Sequence, residues 1–328
     1  MSLRIKLLHE WLAIVLSTKT YTIIPILSDA SFRRYFRVIS SNKSWVVMDA
    51  PPEKENPDAF FRVARLMLIY EFPVPECISY NEENGFMLLT DFGDRQLFHY
   101  RNSRYCLSLY DIVIDNMIAF QKINSSLVPN YQQSKFISEM TLLQDWFYLL
   151  IRYEETVQAR NIYNQLKIDL TNVCTSQPQT FIHRDYHCKN LMVLNLDKVG
   201  IIDFQDAVYG PITYDLVSLL RDCYVQLDNS YIDKKLRYVY TKYLHILNEY
   251  TFDDFKRWFD YVSLQRHTKC LGIFARLAIR DNKLSYLENI PRILKYIIDA
   301  AKDHKELYYF REFWIQEILP NYNKYKSK

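Results

Sequence analysis

Glycine is scarce in this chain: only Gly85, Gly93, Gly200, Gly210 and Gly272 occur in 328 residues. No G-x-G-x-x-G loop exists anywhere in it, so any close backbone approach to a phosphate must use other residues. Cysteine spacing is equally uninformative of metal or bridge. Cys77, Cys106, Cys174, Cys188, Cys223 and Cys270 contain no C-x-x-C pair, and they read as free, mostly buried thiols. No apolar run approaches the length needed to span a bilayer. Arg4 and Lys6 precede a Leu-rich stretch, but His9 and Glu10 interrupt it and no small-residue cleavage site follows. Leu3, Leu7, Trp11 and Val15 fall near helical spacing, so the start reads as an amphipathic helix of a cytoplasmic protein. Charge is nearly balanced, 41 Lys plus Arg against 38 Asp plus Glu. That excess demands neither nucleic acid nor an anionic membrane as partner, and a monomer is expected.

What is present is an ordinary globular composition, 49% apolar and 24% charged, long enough for two lobes. Runs at Thr20–Leu27, Arg34–Ser40, Trp45–Met48 and Phe86–Thr90 read as strands, with another before the turn Asn81-Glu82-Glu83-Asn84-Gly85 and a helix over Asp58–Tyr70. After Asp94 helical periodicity takes over, at 103–124, 134–173, 213–226, 230–249, 252–280 and 290–304. Two short strands, Leu191–Leu196 and Val199–Phe204, interrupt it around an Asp197-Lys198 turn. The pattern predicts an α+β, two-lobe chain: a small antiparallel β-lobe over residues 1–92 and a large, mainly α-helical lobe over 93–328.

The chemistry concentrates in His183-Arg184-Asp185-Tyr186-His187-Cys188-Lys189-Asn190, followed by the hairpin and Ile201-Ile202-Asp203-Phe204. Phosphoryl transfer asks little covalent chemistry of a protein; it needs a carboxylate at the attacking hydroxyl and metal ions on the phosphates. Asp185 is the candidate proton acceptor, with His183 supporting the loop. Asn190 and Asp203 supply the neutral and anionic oxygens that Mg²⁺ prefers. The intervening hairpin returns Asp203 toward Asn190 despite their separation in sequence. Asp215, in Gly210-Pro211-Ile212-Thr213-Tyr214-Asp215, reads either as an acid favoured by a helix N-terminus or as a clamp on the catalytic loop; the clamp is the expected role. Asp91-Phe92-Gly93 spells a kinase metal motif, but ninety residues too early, at the end of the small lobe's last strand.

At these residues the chain resembles the aminoglycoside phosphotransferase-like family, a branch of the protein-kinase-like superfamily. Within it the resemblance is closest to the bacterial N-acetylmuramate/N-acetylglucosamine anomeric kinases. It is carried by Ser28-Asp29-Ala30-Ser31-Phe32-Arg33-Arg34-Tyr35-Phe36-Arg37, by Val47-Met48-Asp49-Ala50-Pro51-Pro52, and by Asp203 through Asp215. Leu264-Gln265-Arg266-His267 and Gly272 through Arg276 extend it, and residues 203–222 are its most specific part. The resemblance implies a protein-kinase-like fold, the cofactors ATP and Mg²⁺, and phosphorylation of an amino sugar at its anomeric hydroxyl.

Two departures stand out. Ser28, Ala30 and Ser31 occupy the place of the glycine-rich loop, so Ser28, Ser31 and the following Arg33 become the candidate phosphate contacts, with backbone groups from Leu89 to Asp91 for adenine. The third strand ends in Met48-Asp49, where most relatives carry a phosphate-binding lysine. Asp49 is either paired with Arg62 or Arg65 of the next helix, or that helix is simply solvated. Arg33, Arg34 and Lys54 are the weak candidates for a replacement cation.

For the acceptor, Gln265, Lys269, Gly272 and Arg276 recur at helical spacing, and three basic residues but no acid lie between 265 and 276. Such a face suits a neutral or anionic ligand better than a polycation; arginine in particular matches a lactyl carboxylate. Arg266, Lys269 and Arg276 are the candidate substrate contacts, with Asp206, Arg221 and Asp222 as weaker ones. The competing functions are an antibiotic or small-alcohol kinase and a nucleotide-binding pseudokinase, which would not need Asp185.

Overall fold

The computed structural model describes residues 3–26 and 32–327. The chain divides into two compact units, one of Met1–Tyr100, Arg104–Ile112 and Asn190–Asp206, the other of Arg101–Ser103, Val113–Lys189 and Ala207–Lys328. The catalytic hairpin therefore groups with the N-terminal unit, whereas the pattern along the chain put it in the lobe after residue 92. The division also runs through helix Cys106–Phe120.

The first unit opens with α1 (Leu3–Val15), followed by β1 (Thr22–Ile26), β2 (Arg34–Ser40), β3 (Lys43–Asp49), α2 (Pro57–Ile69), β4 (Cys77–Asn81) and β5 (Phe86–Thr90). The five strands form one antiparallel sheet in the order β1-β2-β3-β5-β4. Their β-branched and aromatic residues suit a half-buried pleated surface. Leu8, Trp11 and Leu12 of α1 pack on Val38, Val47, Phe86 and Leu88 of the sheet. The β4–β5 turn requires Gly85: its φ is +67°, and a Cβ there would lie 1.9 Å from the Ala50 carbonyl oxygen. Asn56 starts α2 by accepting the Ala59 amide, with Pro57 in the first turn. The antiparallel hairpin Leu191–Asn195 with Lys198–Ile201 completes this unit.

The second unit is mainly helical. It holds the end of α3 (Cys106–Phe120), α4 (Gln133–Leu142), α5 (Tyr148–Ile151), α6 (Val157–Ser176), α7 (Tyr214–Leu220), α8 (Asn229–Lys242), α9 (Phe252–Asp281), α10 (Ile290–Lys302), α11 (Tyr308–Phe313) and α12 (Leu319–Lys326). The single helix expected over 134–173 is broken. A π turn at Leu143–Phe147 joins α4 to α5, Arg152 then turns left-handed at φ +54°, and the Thr156 hydroxyl restarts the helix by accepting the Ala159 amide. Two strands the pattern missed, Gln179–Ile182 and Val208–Pro211, pair antiparallel on either side of the catalytic loop in sequence. They are only 4 residues each, too short for a period of two to register.

Helix α9 is the centre of this unit. A capping box between Thr251 and Asp254 starts it, and every residue from Tyr261 to Cys270 is buried. Gly272 lets it approach the end of α4, where a Cβ would stand 2.4 Å from the Leu142 carbonyl carbon. The basic face read from the spacing is therefore inside the unit, not on its surface. Among the described residues, no helix is long and apolar enough to cross a membrane.

Candidate active site

The catalytic loop is held by two buried aspartates. Asp215 accepts the amides of His183 at 2.6 Å and Arg184 at 3.0 Å, which is the clamp geometry rather than that of a lone helix-terminus acid. Asp222 accepts the amides of Cys188 at 2.8 Å and Tyr224 at 2.7 Å. Asp222 is 1% exposed, so its carboxylate is part of the loop's scaffold and is not offered to a sugar. Inside the loop, the Asp185 amide donates to His183 Nδ1 at 3.2 Å and the Tyr186 hydroxyl donates to the Val113 carbonyl at 2.8 Å. Arg184 adopts φ +74°, a left-handed conformation held by Asp215 at its amide and by Arg266 at its carbonyl.

Around Asp185 stands a group of cations. Arg266 lies 3.4 Å from its carboxylate and donates to the Arg184 carbonyl at 2.6 Å. Burial alone would raise the Asp185 pKa, but Lys269, Arg266, His187 and Arg184 hold it well below the usual carboxylate range. Its side chain keeps 39% exposure, so the charge is accessible as well as ionised. Glu139, which no sequence motif marked, binds the cluster together. It pairs with Arg184 at 2.6 Å and Lys269 at 3.2 Å and accepts a short hydrogen bond from the Tyr131 hydroxyl. Burial pushes the Glu139 carboxyl up, and Lys269 and Arg184 bring it down further. Arg266 and Lys269 are thus committed internally. Arg221 likewise pairs with Asp260 at 2.6 Å and stacks on Phe259. Arg276 is half-buried, its Nε has no partner, and burial lowers its pKa.

The residues expected from the sequence to offer oxygen to a cation, Asn190 and Asp203, lie in the first unit. Asn190 Nδ2 donates to Asp203 Oδ2 at 3.3 Å, Gln205 Nε2 donates to Asp203 Oδ1 at 2.8 Å, and the Ile202 amide donates to the Asn190 carbonyl at 3.0 Å. Asp203 sits at φ +63°, in the left-handed region, and Phe204 is anchored against Phe60 with ring centroids 4.8 Å apart. No group of three or more His, Cys, Asp or Glu able to hold a metal occurs among the described residues. One carboxylate beside one amide nevertheless suits Mg²⁺, which completes its shell with water and phosphate oxygens.

Asp49 is completely buried and does not pair with Arg62 or Arg65, both exposed. Its partners are Arg4 of α1, at 2.7 Å from Nε, and Arg34 of β2, at 3.0 Å from Nε. The strand position at which the resemblance led a lysine to be expected is therefore a carboxylate serving two arginines, one of its own sheet and one of the first helix. Arg34 is removed by this pairing from the candidates for a phosphate cation. Arg33 and Lys54 remain: Arg33 pairs with Glu55 at 3.0 Å and lies in the field of Asp206 and Asp203, and the Lys54 ammonium lies over the Phe32 ring at 4.8 Å. Ser28 and Ser31 lie outside the described residues. Leu89 pairs with Val46 of β3 and Cys77 of β4. Asp91 accepts from Arg37 Nε at 2.7 Å and from the Gly93 amide at 2.8 Å. Burial raises its carboxyl, but these partners leave it below its ordinary value, and it stands as a structural ion pair.

The model of the phosphotransferase enzyme family matches residues 22–244. The chain belongs to that family. As a phosphotransferase it is similar to the N-acetylmuramate/N-acetylglucosamine kinase of Pseudomonas aeruginosa, 36% identical over 291 residues, covering 87% of this chain and 85% of that one. The kinase of the same name from Neisseria meningitidis serogroup B is 34% identical, covering 92% of each chain. Among solved structures, the ADP-bound aminoglycoside phosphotransferase APH(2'')-Ib superposes with a TM-score of 0.57 at 14% identity, covering 87% of this chain and 96% of that one. The fold is therefore protein-kinase-like, with an antiparallel N-terminal sheet and a mainly helical remainder.

Proposed function

We propose that the protein is an ATP-dependent kinase of N-acetylmuramate and N-acetylglucosamine, transferring the γ-phosphoryl group to the anomeric hydroxyl to give the sugar 1-phosphate. The observation that carries this reading is the 36% identity, over nearly the whole chain, to a kinase named for those two sugars. The state of Asp185 supports it. A carboxylate held ionised by surrounding cations is a weak base, suited to orienting a hydroxyl and taking its proton late in a loose transition state. A hemiacetal hydroxyl is more acidic than an ordinary alcohol because the ring oxygen withdraws charge, so it asks less of that base.

Asn190 and Asp203 would hold Mg²⁺, which when bound neutralises charge on the phosphates. Arg33 is the basic residue we assign to the ATP phosphates, since Asp49 serves the sheet's own arginines and Arg33 lies in the field of Asp203. Ser28 and Ser31 are assigned beside it as backbone donors, and the Leu89–Asp91 main chain to adenine. Incubation with Mg-ATP and a panel of N-acetylmuramate, N-acetylglucosamine, kanamycin and choline, read by phosphorus NMR, tests the assignment. A new signal on the anomeric oxygen of either amino sugar is expected. Transfer to kanamycin or choline alone would overturn it.

A further inference from the structure

A cavity of about 520 Å³ opens in the second unit where the start of α4 meets the catalytic loop. Its size falls within the range of small-ligand sites. Asn130, Gln132, Ser134, Lys135 and Ser138 line it together with Arg184, and no carboxylate does. The two charged lining residues are both cations, but they are not equivalent. Arg184 is already paired with Glu139 at 2.6 Å. Lys135 is exposed and, among the described residues, takes part in no ion pair. The neutral polar groups around it are hydroxyls and amides, which suit sugar hydroxyls and an acetamido group, and Tyr131 and Val208 add apolar surface.

Two of the helix α9 cations, Arg266 and Lys269, cannot serve a carboxylate ligand in the same way. Arg266 and Lys269 are 4% and 7% exposed at their side chains and are engaged by Asp185 and Glu139. Among the described residues Lys135 has no ion-pair partner, and it lies next to Ser134 in the same cavity as the residue preceding Asp185. We infer that this cavity seats the carboxylate-bearing arm of an acidic amino sugar, with Lys135 as the residue that selects the acidic sugar over its neutral counterpart. The inference rests on the kinase reading for the identity of the acceptor, and N-acetylmuramate differs from N-acetylglucosamine by that carboxylate arm.

Calorimetric dissociation constants for both sugars, on wild type and on Lys135→Ala, test it, with phosphoryl transfer measured on the same samples. Lys135 is on the surface, so its removal leaves the core intact. The preference for N-acetylmuramate over N-acetylglucosamine is expected to fall about fivefold in Lys135→Ala, the upper range for an accessible ion pair, and to return in Lys135→Arg. An unchanged preference, with sugar phosphorylation intact, would overturn the cavity assignment alone. A shifted preference without any phosphoryl transfer would overturn the kinase reading alone. Absence of binding by either sugar to wild type would overturn both.

Discussion

Arg266 and Asp185 meet at 3.4 Å, and the same guanidinium donates to the Arg184 carbonyl at 2.6 Å. One buried side chain of α9 thus holds the backbone of the catalytic loop and, with Lys269, helps keep its carboxylate below the usual carboxylate range. Lys269, one helical turn further on, ties the same carboxylate electrostatically to Glu139. The Asp185 carboxyl is held well below the usual carboxylate range as a result. The contribution we propose for it is orientation of the acceptor hydroxyl and late acceptance of its proton.

Asp185→Asn keeps the shape and removes the charge. Its kcat should fall by roughly 10²–10⁴, with the KM for ATP little altered, in a coupled ADP-release assay. A rate near wild type would remove Asp185 from this role.

Glu139→Gln should destabilise the second unit strongly. Glu139 is 6% exposed at its side chain and faces Arg184 and Lys269, at 13% and 7%. Removing its charge leaves two poorly hydrated cations without their shared partner, at a cost of about 3–5 kcal/mol. Urea denaturation measures it; a loss under about 1 kcal/mol would place the cluster in the weak class of exposed pairs.

Asp215 makes a pH-dependent contribution to stability. Burial pushes its carboxyl up to about 7, against the pull of the His183 amide, Arg266 and the Arg184 amide. The folded chain therefore holds the proton more tightly than the unfolded chain, where an aspartate titrates near ~4. This stabilisation is complete below the unfolded value and is lost as pH rises through about 7. The stability difference between wild type and Asp215→Asn should decline across that window by at most ~1.4 kcal/mol per pH unit. A flat difference would show that the carboxyl titrates as an ordinary acid.

His267 acts with the opposite sign. Its ring is buried between Ser263 and the Arg221 carbonyl, and burial brings its pKa down to about 3. The unfolded chain takes up the proton first, so stability is present above the ordinary histidine value of ~6.5 and is lost as pH falls toward the folded value. His267→Gln should flatten this acid-side loss in denaturation curves recorded between the two. Equal acid sensitivity in variant and wild type would exclude His267 as its source.

Gly272→Ala tests the approach of α9 to α4. The added Cβ would lie 2.4 Å from the Leu142 carbonyl carbon and 2.5 Å from its oxygen. Backbone must move, so a loss of about 1–3 kcal/mol is expected, despite alanine's better helix propensity. A stabilised variant would contradict the close packing.

The legible parts of this molecule are those written in neighbouring residues. The strand runs Arg34–Ser40 and Phe86–Thr90 coincide with β2 and β5, because β-branched and aromatic side chains declare a pleated surface locally. The spacing from Asp185 to Asn190 and the hairpin after it likewise carry their meaning within a few turns of chain. The break at Arg152 was hidden, since no glycine or proline marks it and a left-handed arginine is paid for by packing. Asp222 was indistinguishable from a ligand-facing acid until its two amide donors were seen.

From the sequence alone came the reaction class and the antiparallel sheet followed by a mainly helical remainder; Asp185 as proton acceptor and Asn190 with Asp203 as metal ligands are proposals that rest on its motif spacing. Only the tertiary structure decided what each charge faces. Asp49 pairs with Arg4, 45 residues away, and Glu139 with Lys269 on a different helix. It also turned the basic stretch of α9 inward, so that Arg266 and Lys269 serve the catalytic loop and Lys135 is left facing the cavity. The reason is physical: periodicity reports where a side chain points on its own helix, whereas the partner of a buried charge is supplied by whichever element the fold packs against it.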